Sequence, residues 1–181
     1  MKKMQTDHQF NMPLKVIGSD EISDMANAFN KMLAERKSFE SELKISSAVF
    51  EYASEAIMVT DSHNKIKTVN PAFTHISGYS AQEVLGKSPR LLNSGKHGDD
   101  FYQNMWRALE KDNCWQGEIW NKRKSGEIYP EFLSISVVRD HLHNAIQYIS
   151  LFSDITKHKK YEEDIWLQAN YDALTGLPNR N

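Results

Sequence analysis

Few residues in this sequence carry side chains that could do chemistry, and their spacing assembles no catalytic site. Cys114 is the only cysteine, which excludes an intrachain disulfide and argues against a cysteine-based zinc site. His141 and His143 lie two positions apart, but no cluster of carboxylates or cysteines accompanies them to bind a metal. No nucleophile is matched with a base and an orienting group. The sequence therefore predicts neither a metal site nor a catalytic triad.

The composition is that of a folded protein without a strong charge bias. Hydrophobic residues make up 40% and charged residues 25% of the 181 residues, which is too apolar for a disordered chain. The formal net charge of −2 argues against a nucleic-acid binder, which usually carries a basic excess. No stretch approaches about 18 consecutive apolar residues, and no apolar segment follows the lysines at the start. The sequence thus predicts no membrane span and no secretory signal.

A long helix with a regular apolar seam is predicted near the start of the chain. Gly18 and Ser19 precede the acidic pair Asp20 and Glu21, an arrangement typical of a helix start. Spacings of three and four residues then alternate along the seam, which predicts a dimeric left-handed coiled coil. An alternative is a helix that packs one stripe against its own domain. The seam consists of Ile22, Met25, Phe29, Met32, Arg36, Phe39, Leu43, Ser46, Phe50 and Ala53.

The pattern that follows predicts an α+β domain. Two short β-type runs, AIMVTD and KIKTVN, form a predicted hairpin, and brief helices precede a longer one in GDDFYQNMWRALEKDN. Three predicted strands end the domain: CWQGEIWNKRK, EIYPEFLSISVVRD and AIQYISLFSDI. In the first of them Cys114 is expected to be a small core residue. This order predicts an antiparallel sheet with its helices on one side and a pocket between the two.

Several strings in this region resemble the signatures of PAS sensor domains. AIMVTD, VNPAFTHISGYSAQEVLGK, RKSGEIYPEFLSISVVRD and YISLFSDIT match successive PAS motifs over residues 46–157. The resemblance implies a PAS fold of class α+β, with a five-stranded antiparallel sheet and small helices on one face. Coiled-coil helices are expected at both ends, because TKHKKYEEDIWLQANYD resumes the heptad spacing after the last strand.

Both ends of the chain resemble parts of other signalling modules. LKVIGSDEISDMANAFNKML is similar to the connector and second helix of a HAMP module, which identifies residues 1–35 as a partial HAMP and residues 36–56 as a signalling helix. An exit helix at residues 158–171 leads to DALTGLPNR in residues 172–181, which resembles the entry motif of GGDEF diguanylate cyclase domains. That resemblance places the catalytic residues of a cyclase after this motif, so no enzymatic activity is expected of this chain.

A further resemblance concerns the ligand of the pocket. Residues 86–131, with LGK, LLNSG and WNKRK, look like the flavin-binding PAS domain of nitrogen-fixation redox sensors. This implies FAD as a cofactor, with Trp106 packing on the flat ring and Asn121 hydrogen-bonding to the pyrimidine edge. Two other flavin contacts of that family are lost, because Met58 and Pro89 stand at their positions.

Other states of the pocket remain open. Haem would need an axial histidine, for which His97 and His75 are the candidates. Light sensing of the LOV kind needs a cysteine where Pro89 stands, and is excluded. A different small ligand, or none, is the remaining alternative.

These features predict a sensory input module of a bacterial diguanylate cyclase that acts as a homodimer. Asp154, Ile155 and Thr156 are expected to relay the signal, since the carboxylate and hydroxyl can cap the exit helix and tie it to the sheet. The expected location is the cytoplasmic part of an inner-membrane protein, with no membrane insertion by this segment and no nucleic-acid partner. The alternatives are a ligand-free dimerisation spacer and the input module of a histidine kinase.

Overall fold

The computed structural model describes Leu14, residues 21–171 and Asn179. The predicted helix start at Gly18 and Ser19, and most of the tail string DALTGLPNR, lie outside these residues. The chain divides into two units, Met1–Val49 and Phe50–Asn181. Among the described helices, none combines the length and the apolar character needed to cross a membrane.

The first unit contains most of a long helix, α1, which spans Glu21–Tyr52. Both backbone polar groups of Leu14 bond to the side chain of Asn30, at 2.6 Å and 2.8 Å. The predicted helix is therefore present, while pairing of its seam with a second copy stays a prediction. Six large apolar side chains of the seam are exposed: Ile22, Met25, Phe29, Met32, Phe39 and Leu43.

The second unit is built on one antiparallel sheet. Its strands are β1 (Ala56–Asp61), β2 (Ile66–Val69), β3 (Cys114–Lys122), β4 (Ile128–Arg139) and β5 (Ala145–Asp154). They are arranged in the order β2-β1-β5-β4-β3. The helices are α2 (Pro71–Ser77), α3 (Ala81–Val84), α4 (Asp99–Asp112) and α5 (Thr156–Asn170), with a short 3-10 turn at Pro89–Leu92. The predicted α+β class and five-stranded antiparallel sheet are confirmed.

Asn70 fixes the start of the helical region to the sheet. It is buried, and its Oδ1 accepts hydrogen bonds from the backbone N–H of Phe73, at 3.0 Å, and of Ile57, at 2.8 Å. The first bond caps α2 and the second ties that cap to β1. Gly78 ends α2 with φ of 77°, a left-handed conformation that favours glycine.

The core lies between the sheet and the helices. Burial alternates along β4 between Glu131 and Ser136, as expected for a strand with one covered face. Phe73 of α2 and Phe152 of β5 meet edge to face, with ring centroids 5.8 Å apart. Other buried apolar side chains are Ala56, Met58, Ile66, Val69, Val84, Leu92, Met105, Leu109, Ile119, Leu133 and Ile135.

The expectation that Cys114 belongs to the core is wrong. Its side chain is exposed at the start of β3. Side chains alternate between the two faces of a strand, and Ile119 and Asn121, at odd positions, face the covered side. Cys114 therefore lies on the opposite face of an edge strand.

Candidate ligand cavity

A cavity of about 450 Å³ lies between the sheet and the helical side of the second unit. This volume is within the range of small-molecule sites, about 300–1,000 Å³. Its apolar lining consists of Met58, Pro89, Leu92, Met105, Leu109, Ile119, Leu133, Ile135 and Phe152. Its polar lining consists of Asn64, Arg90, Asn93, His97, Asp99, Asn121, Glu131 and Ser150, and its other aromatic residues are Tyr102, Trp106 and Tyr148.

Trp106 supplies a large flat surface to the cavity. It lies on α4, is half-buried, and meets the ring of Tyr148 on β5 edge to face, with centroids 5.4 Å apart and planes at 89°. Two aromatic side chains from opposite sides of the cavity thus hold each other in place. An indole positioned in this way can pack on a planar ligand.

Asn121 and Glu131 form a polar edge on the sheet side. Asn121 Nδ2 donates to Glu131 Oε1 at 2.8 Å, and the hydroxyl of Tyr129 donates to Glu131 Oε2 at 2.7 Å. Asn121 pairs with Tyr129, and Ile119 with Glu131, in the β3–β4 register. The register therefore brings these side chains together on the covered face of the sheet.

The carboxyl of Glu131 changes its protonation state close to neutral pH. Burial raises the pKa of Glu131 to about 7, although the hydrogen bonds from Tyr129 and Asn121 act in the lowering direction. Burial also raises the pKa of Tyr129 far above its ordinary value, so its phenol stays protonated and remains a donor. A carboxyl of this kind inside a cavity marks a candidate functional site.

The segment before α4 is held to the edge strand β3 at Trp120. Ser94 Oγ donates to the carbonyl of Trp120 at 2.5 Å, and the Trp120 N–H donates to His97 Nε2 at 2.9 Å. Lys96 Nζ lies 3.7 Å from the centroid of the indole, a cation–π contact. Burial, with a smaller contribution from Lys96, lowers the pKa of His97. The ring is therefore neutral and can accept this bond.

The residues that join β5 to α5 are bound to three strands. Asp154 Oδ1 accepts from the backbone N–H of Thr156 at 2.8 Å and from its hydroxyl at 2.5 Å. Asp154 forms an ion pair with Arg123, which follows β3. The Ile155 N–H donates to the carbonyl of Pro130 in β4 at 3.1 Å. The start of α5 is thus attached to β3 and β4 as well as to the strand it follows.

The pKa of Asp154 reflects these contacts. Partial burial raises it, but the hydrogen bonds from Thr156 and Arg123 together outweigh that effect and hold the pKa below its usual range. Asp154 is therefore ionised at neutral pH and keeps both partners.

The structure places the two residues expected to contact flavin in the same cavity. Trp106 lies on its helical side and Asn121 on its sheet side. Met58 and Pro89, which stand where that flavin-binding family has polar contacts, also line the cavity. The side chains at these two positions have no hydrogen-bond donor for a ligand.

Of the four candidate histidines His75, His97, His141 and His143, only His97 lines the cavity. His97 lines the cavity, but its Nε2 is already engaged by the Trp120 N–H, and His75 is exposed. His141 and His143 are exposed in the turn between β4 and β5. No group of three metal-binding side chains occurs among the described residues. Haem ligation would therefore require the segment before α4 to give up its bond to β3.

Glu131 is a candidate functional residue that the sequence patterns did not single out. It occupies an inward position of β4 together with Tyr129, Leu133 and Ile135, all buried. The sequence signal that indicates this residue is a carboxyl at an inward position of a strand whose other inward residues are mostly apolar. Such a carboxyl is rarely buried without a specific partner.

Comparisons with known proteins agree with this geometry. Residues 54–157 match the family model of the PAS domain. The chain is 35% identical over 106 residues to a nitrogen fixation regulatory protein of Klebsiella oxytoca, covering 59% of this chain and 21% of that protein. It is 25% identical over 178 residues to the cyclic di-GMP phosphodiesterase PdeR of Escherichia coli K12, covering 98% of this chain and 27% of that protein.

A solved structure gives the same result for the fold. The crystal structure of a PAS domain from Colwellia psychrerythraea superposes with a TM-score of 0.60 at 25% identity, covering 64% of this chain and 98% of that one. The family model covers more than half of the chain and includes all five strands and the cavity. The chain therefore belongs to the PAS domain family, whose members are sensory modules of signalling proteins.

Proposed function

We propose that this chain is the sensory input module of a cyclic di-GMP signalling protein, and that it controls cyclic di-GMP synthesis through dimeric helices. The similarity to PdeR extends over nearly the whole chain, including the helices on both sides of the PAS domain. The strings that resemble a HAMP module and the entry motif of a GGDEF domain support a relay from a receptor to a cyclase. The chain spans only 21% and 27% of the two relatives named above, so the output of the whole protein is part of this proposal.

One observation carries the proposal: β5 lines the cavity and leads directly into α5, the helix that leaves the domain. Tyr148, Ser150 and Phe152 of this strand line the cavity, and Asp154 at its end holds Thr156 at the start of α5. A ligand that displaces the side chains of β5 therefore acts within two residues of the joint. The resulting change in the direction of α5 is the output delivered to a dimeric cyclase domain.

The cavity fits a flavin ring. Its volume of about 450 Å³ suits a flat heterocycle, Trp106 offers a stacking face, and Asn121 beside Glu131 offers a donor and acceptors at one edge. Bound FAD would supply redox sensitivity to the site. The residues of this chain would position the ring and exclude water from it.

Homodimerisation through α1 is part of the proposed function. Met25 and Leu43 of the seam are 74% and 69% exposed, and their neighbours along the seam repeat with the coiled-coil period. Apolar side chains at this spacing are buried efficiently by the same seam of a second copy. The dimerisation surface of the proposed function is therefore the apolar seam of α1.

The test is to purify the protein, denature it and identify the released small molecules by mass spectrometry. The sensory proposal predicts one stoichiometric compound, and FAD in particular would give the native protein a yellow absorption spectrum. A dimer that releases no compound, and binds none from a metabolite library, would instead be a ligand-free spacer.

A further inference from the structure

Glu131 is a buried carboxyl with neutral partners. It is 1% exposed, and its hydrogen bonds come from the amide of Asn121 and the phenol of Tyr129. Within the described residues, no cation forms a salt bridge with it. Burying a carboxylate in this way is costly, and an apolar side chain would fill the position at lower cost. The carboxyl therefore requires an explanation other than stability.

The polar edge of the cavity has a specific donor and acceptor pattern. An ionised carboxylate has about four lone-pair positions, and the contacts above use two of those on Glu131. Asn121 donates one amide hydrogen to Glu131 and has a second. The cavity thus presents an acceptor next to a donor. The complementary ligand edge is an N–H adjacent to a C=O, as in a planar lactam or imide.

The same carboxyl is connected to the start of α5. Tyr129 donates to Glu131, and the guanidinium of Arg123 lies over the Tyr129 ring at 3.8 Å from its centroid. Arg123 forms the ion pair with Asp154, which accepts both hydrogen bonds of Thr156. In the β4–β5 register Glu131 lies directly opposite Asp154. A continuous series of contacts therefore runs from the cavity to the first residue of α5.

We propose that Glu131 recognises the N–H donor of a planar lactam or imide in the cavity and transmits occupancy to α5 through Tyr129, Arg123 and Asp154. This inference rests on the ligand-sensing function proposed above and names the residue that detects the ligand. When an N–H bonds to Glu131, the carboxylate shares its lone pairs between ligand and Tyr129. The phenol and the guanidinium stacked on it then shift relative to Asp154.

Recognition is tested with riboflavin and 3-methylriboflavin, which differ only in the imide N–H. Affinities for the wild type and Glu131→Gln are measured at pH 8 by flavin fluorescence, where a carboxyl with a pKa of about 7 is mostly ionised. A hydrogen bond to a charged group predicts that methylation weakens wild-type binding about 10- to 100-fold. Glu131→Gln keeps a carbonyl acceptor but loses the charge, so it should weaken riboflavin binding and reduce the methylation penalty to the roughly two- to tenfold effect of a neutral hydrogen bond.

Comparing both ligands on both proteins separates the loss of a hydrogen bond from a steric clash with the methyl group. An equal methylation penalty in both proteins would overturn recognition by Glu131, because a clash does not depend on the carboxylate. Failure of riboflavin to bind the wild type would overturn the inference as well. The sensory function would then still be decided by its own test, the compound released on denaturation.

The relay is tested with Tyr129→Phe, which removes only the hydroxyl that contacts Glu131. Amide hydrogen exchange of α5 is measured with and without riboflavin. The wild type should show a ligand-dependent change at the first turn, from Thr156 onward, and Tyr129→Phe should bind riboflavin within about threefold of wild type but lose that change. The control Tyr79→Phe, at a partly buried tyrosine outside both the cavity and the series of contacts, should keep both.

Two results would overturn the relay. One is a wild-type α5 whose exchange does not respond to bound riboflavin. The other is a Tyr129→Phe variant whose α5 responds as fully as that of the wild type.

Discussion

At the scale of single residues, the cavity places one titrating carboxyl within mostly apolar walls. Glu131 owes its raised pKa first to burial, with a smaller contribution from the nearby charge of Asp154. Asp154 has the opposite shift because Thr156 and Arg123 bond to its charged form. Two carboxylates in register on adjacent strands therefore differ in charge near neutral pH. The difference allows one to respond to a ligand while the other holds a helix.

The raised pKa of Glu131 makes stability depend on pH. The folded state binds this proton more tightly than the unfolded state, whose carboxyl has the ordinary value of 4.5. The contribution of this group to stability is thus fully present below about pH 4.5 and is lost as pH rises to about 7. The free energy of unfolding of Glu131→Gln, minus that of the wild type, should rise by about 3 kcal/mol across this interval.

Urea unfolding of both proteins at several pH values measures this difference. Groups that do not interact with Glu131, such as Glu83, contribute equally to both profiles and cancel. Profiles that run parallel from pH 4.5 to pH 7 would show that Glu131 titrates normally in the fold.

Thr60 offers a second test at the residue scale. Its Oγ1 is buried in β1 without a hydrogen-bond partner in the described part of the chain. Thr60→Val replaces this hydroxyl with a methyl group of similar size, so the free energy of unfolding should rise by about 1 kcal/mol. The exposed Thr68, on the neighbouring strand, provides the control Thr68→Val, with a change of about 0.5 kcal/mol or less. A destabilised Thr60→Val would mean that the hydroxyl has a partner in solution.

At the scale of elements, α1 and α5 are the helices through which the proposed signal would enter and leave the domain. α1 exposes an apolar seam, and α5 exposes Tyr161 and Ile165, each 66% exposed. α5 is attached to the domain at its start, where Lys159 also pairs with Glu118 of β3 at 2.7 Å. Its first turn is therefore fixed to the sheet, while the side chains farther along are exposed.

Leu43→Glu tests the seam of α1. The substitution would place two carboxylates in the predicted dimer interface, so the dissociation constant of the dimer should rise by about 100-fold. Sedimentation velocity over a concentration series measures it. The neighbouring Lys44→Glu, also exposed but outside the seam, should leave the dimer intact. Equal weakening by both variants, or by neither, would contradict the assigned interface.

Asp154→Ala tests the joint before α5. Loss of the carboxylate removes its bond to the Thr156 N–H and the ion pair to Arg123. Loss of such a bond at a helix start costs about 1 kcal/mol, which predicts about fivefold faster amide exchange in the first turn of α5. Asp164→Ala, in the exposed middle of α5, is the matched control. Unchanged exchange in Asp154→Ala would show that α5 is held by other contacts.

How far the sequence predicts the structure depends on whether a feature is local. The hairpin, the capped helices and the three long strands follow from periodicity and turn residues, and the signature strings indicated the PAS fold. The prediction for Cys114 was wrong because a strand pattern alone does not show whether the odd- or the even-numbered side chains face the core. The network of Glu131, Tyr129 and Arg123 was not predicted, because it depends on the register of β3 against β4 and on the ring contact between them.

At the scale of the whole molecule, the proposed function converts the ligand state of the cavity into a change in helix geometry. The cavity, the polar edge and the joint lie along β3, β4 and β5, and α5 follows directly from the last of these strands. A homodimer contains two such domains. In such a dimer, a small change at each joint would alter the distance and angle between the two copies of α5. A dimeric output domain can detect that difference.

The most direct measurement of this claim is the distance between the two copies of α5. A nitroxide label attached through Gln168→Cys in a Cys114→Ser background allows pulsed electron paramagnetic resonance on the dimer, once with FAD bound and once after its removal. The account predicts two distinct distance distributions, and Tyr129→Phe should abolish the difference. Identical distributions in the FAD-bound and FAD-free wild type would contradict it.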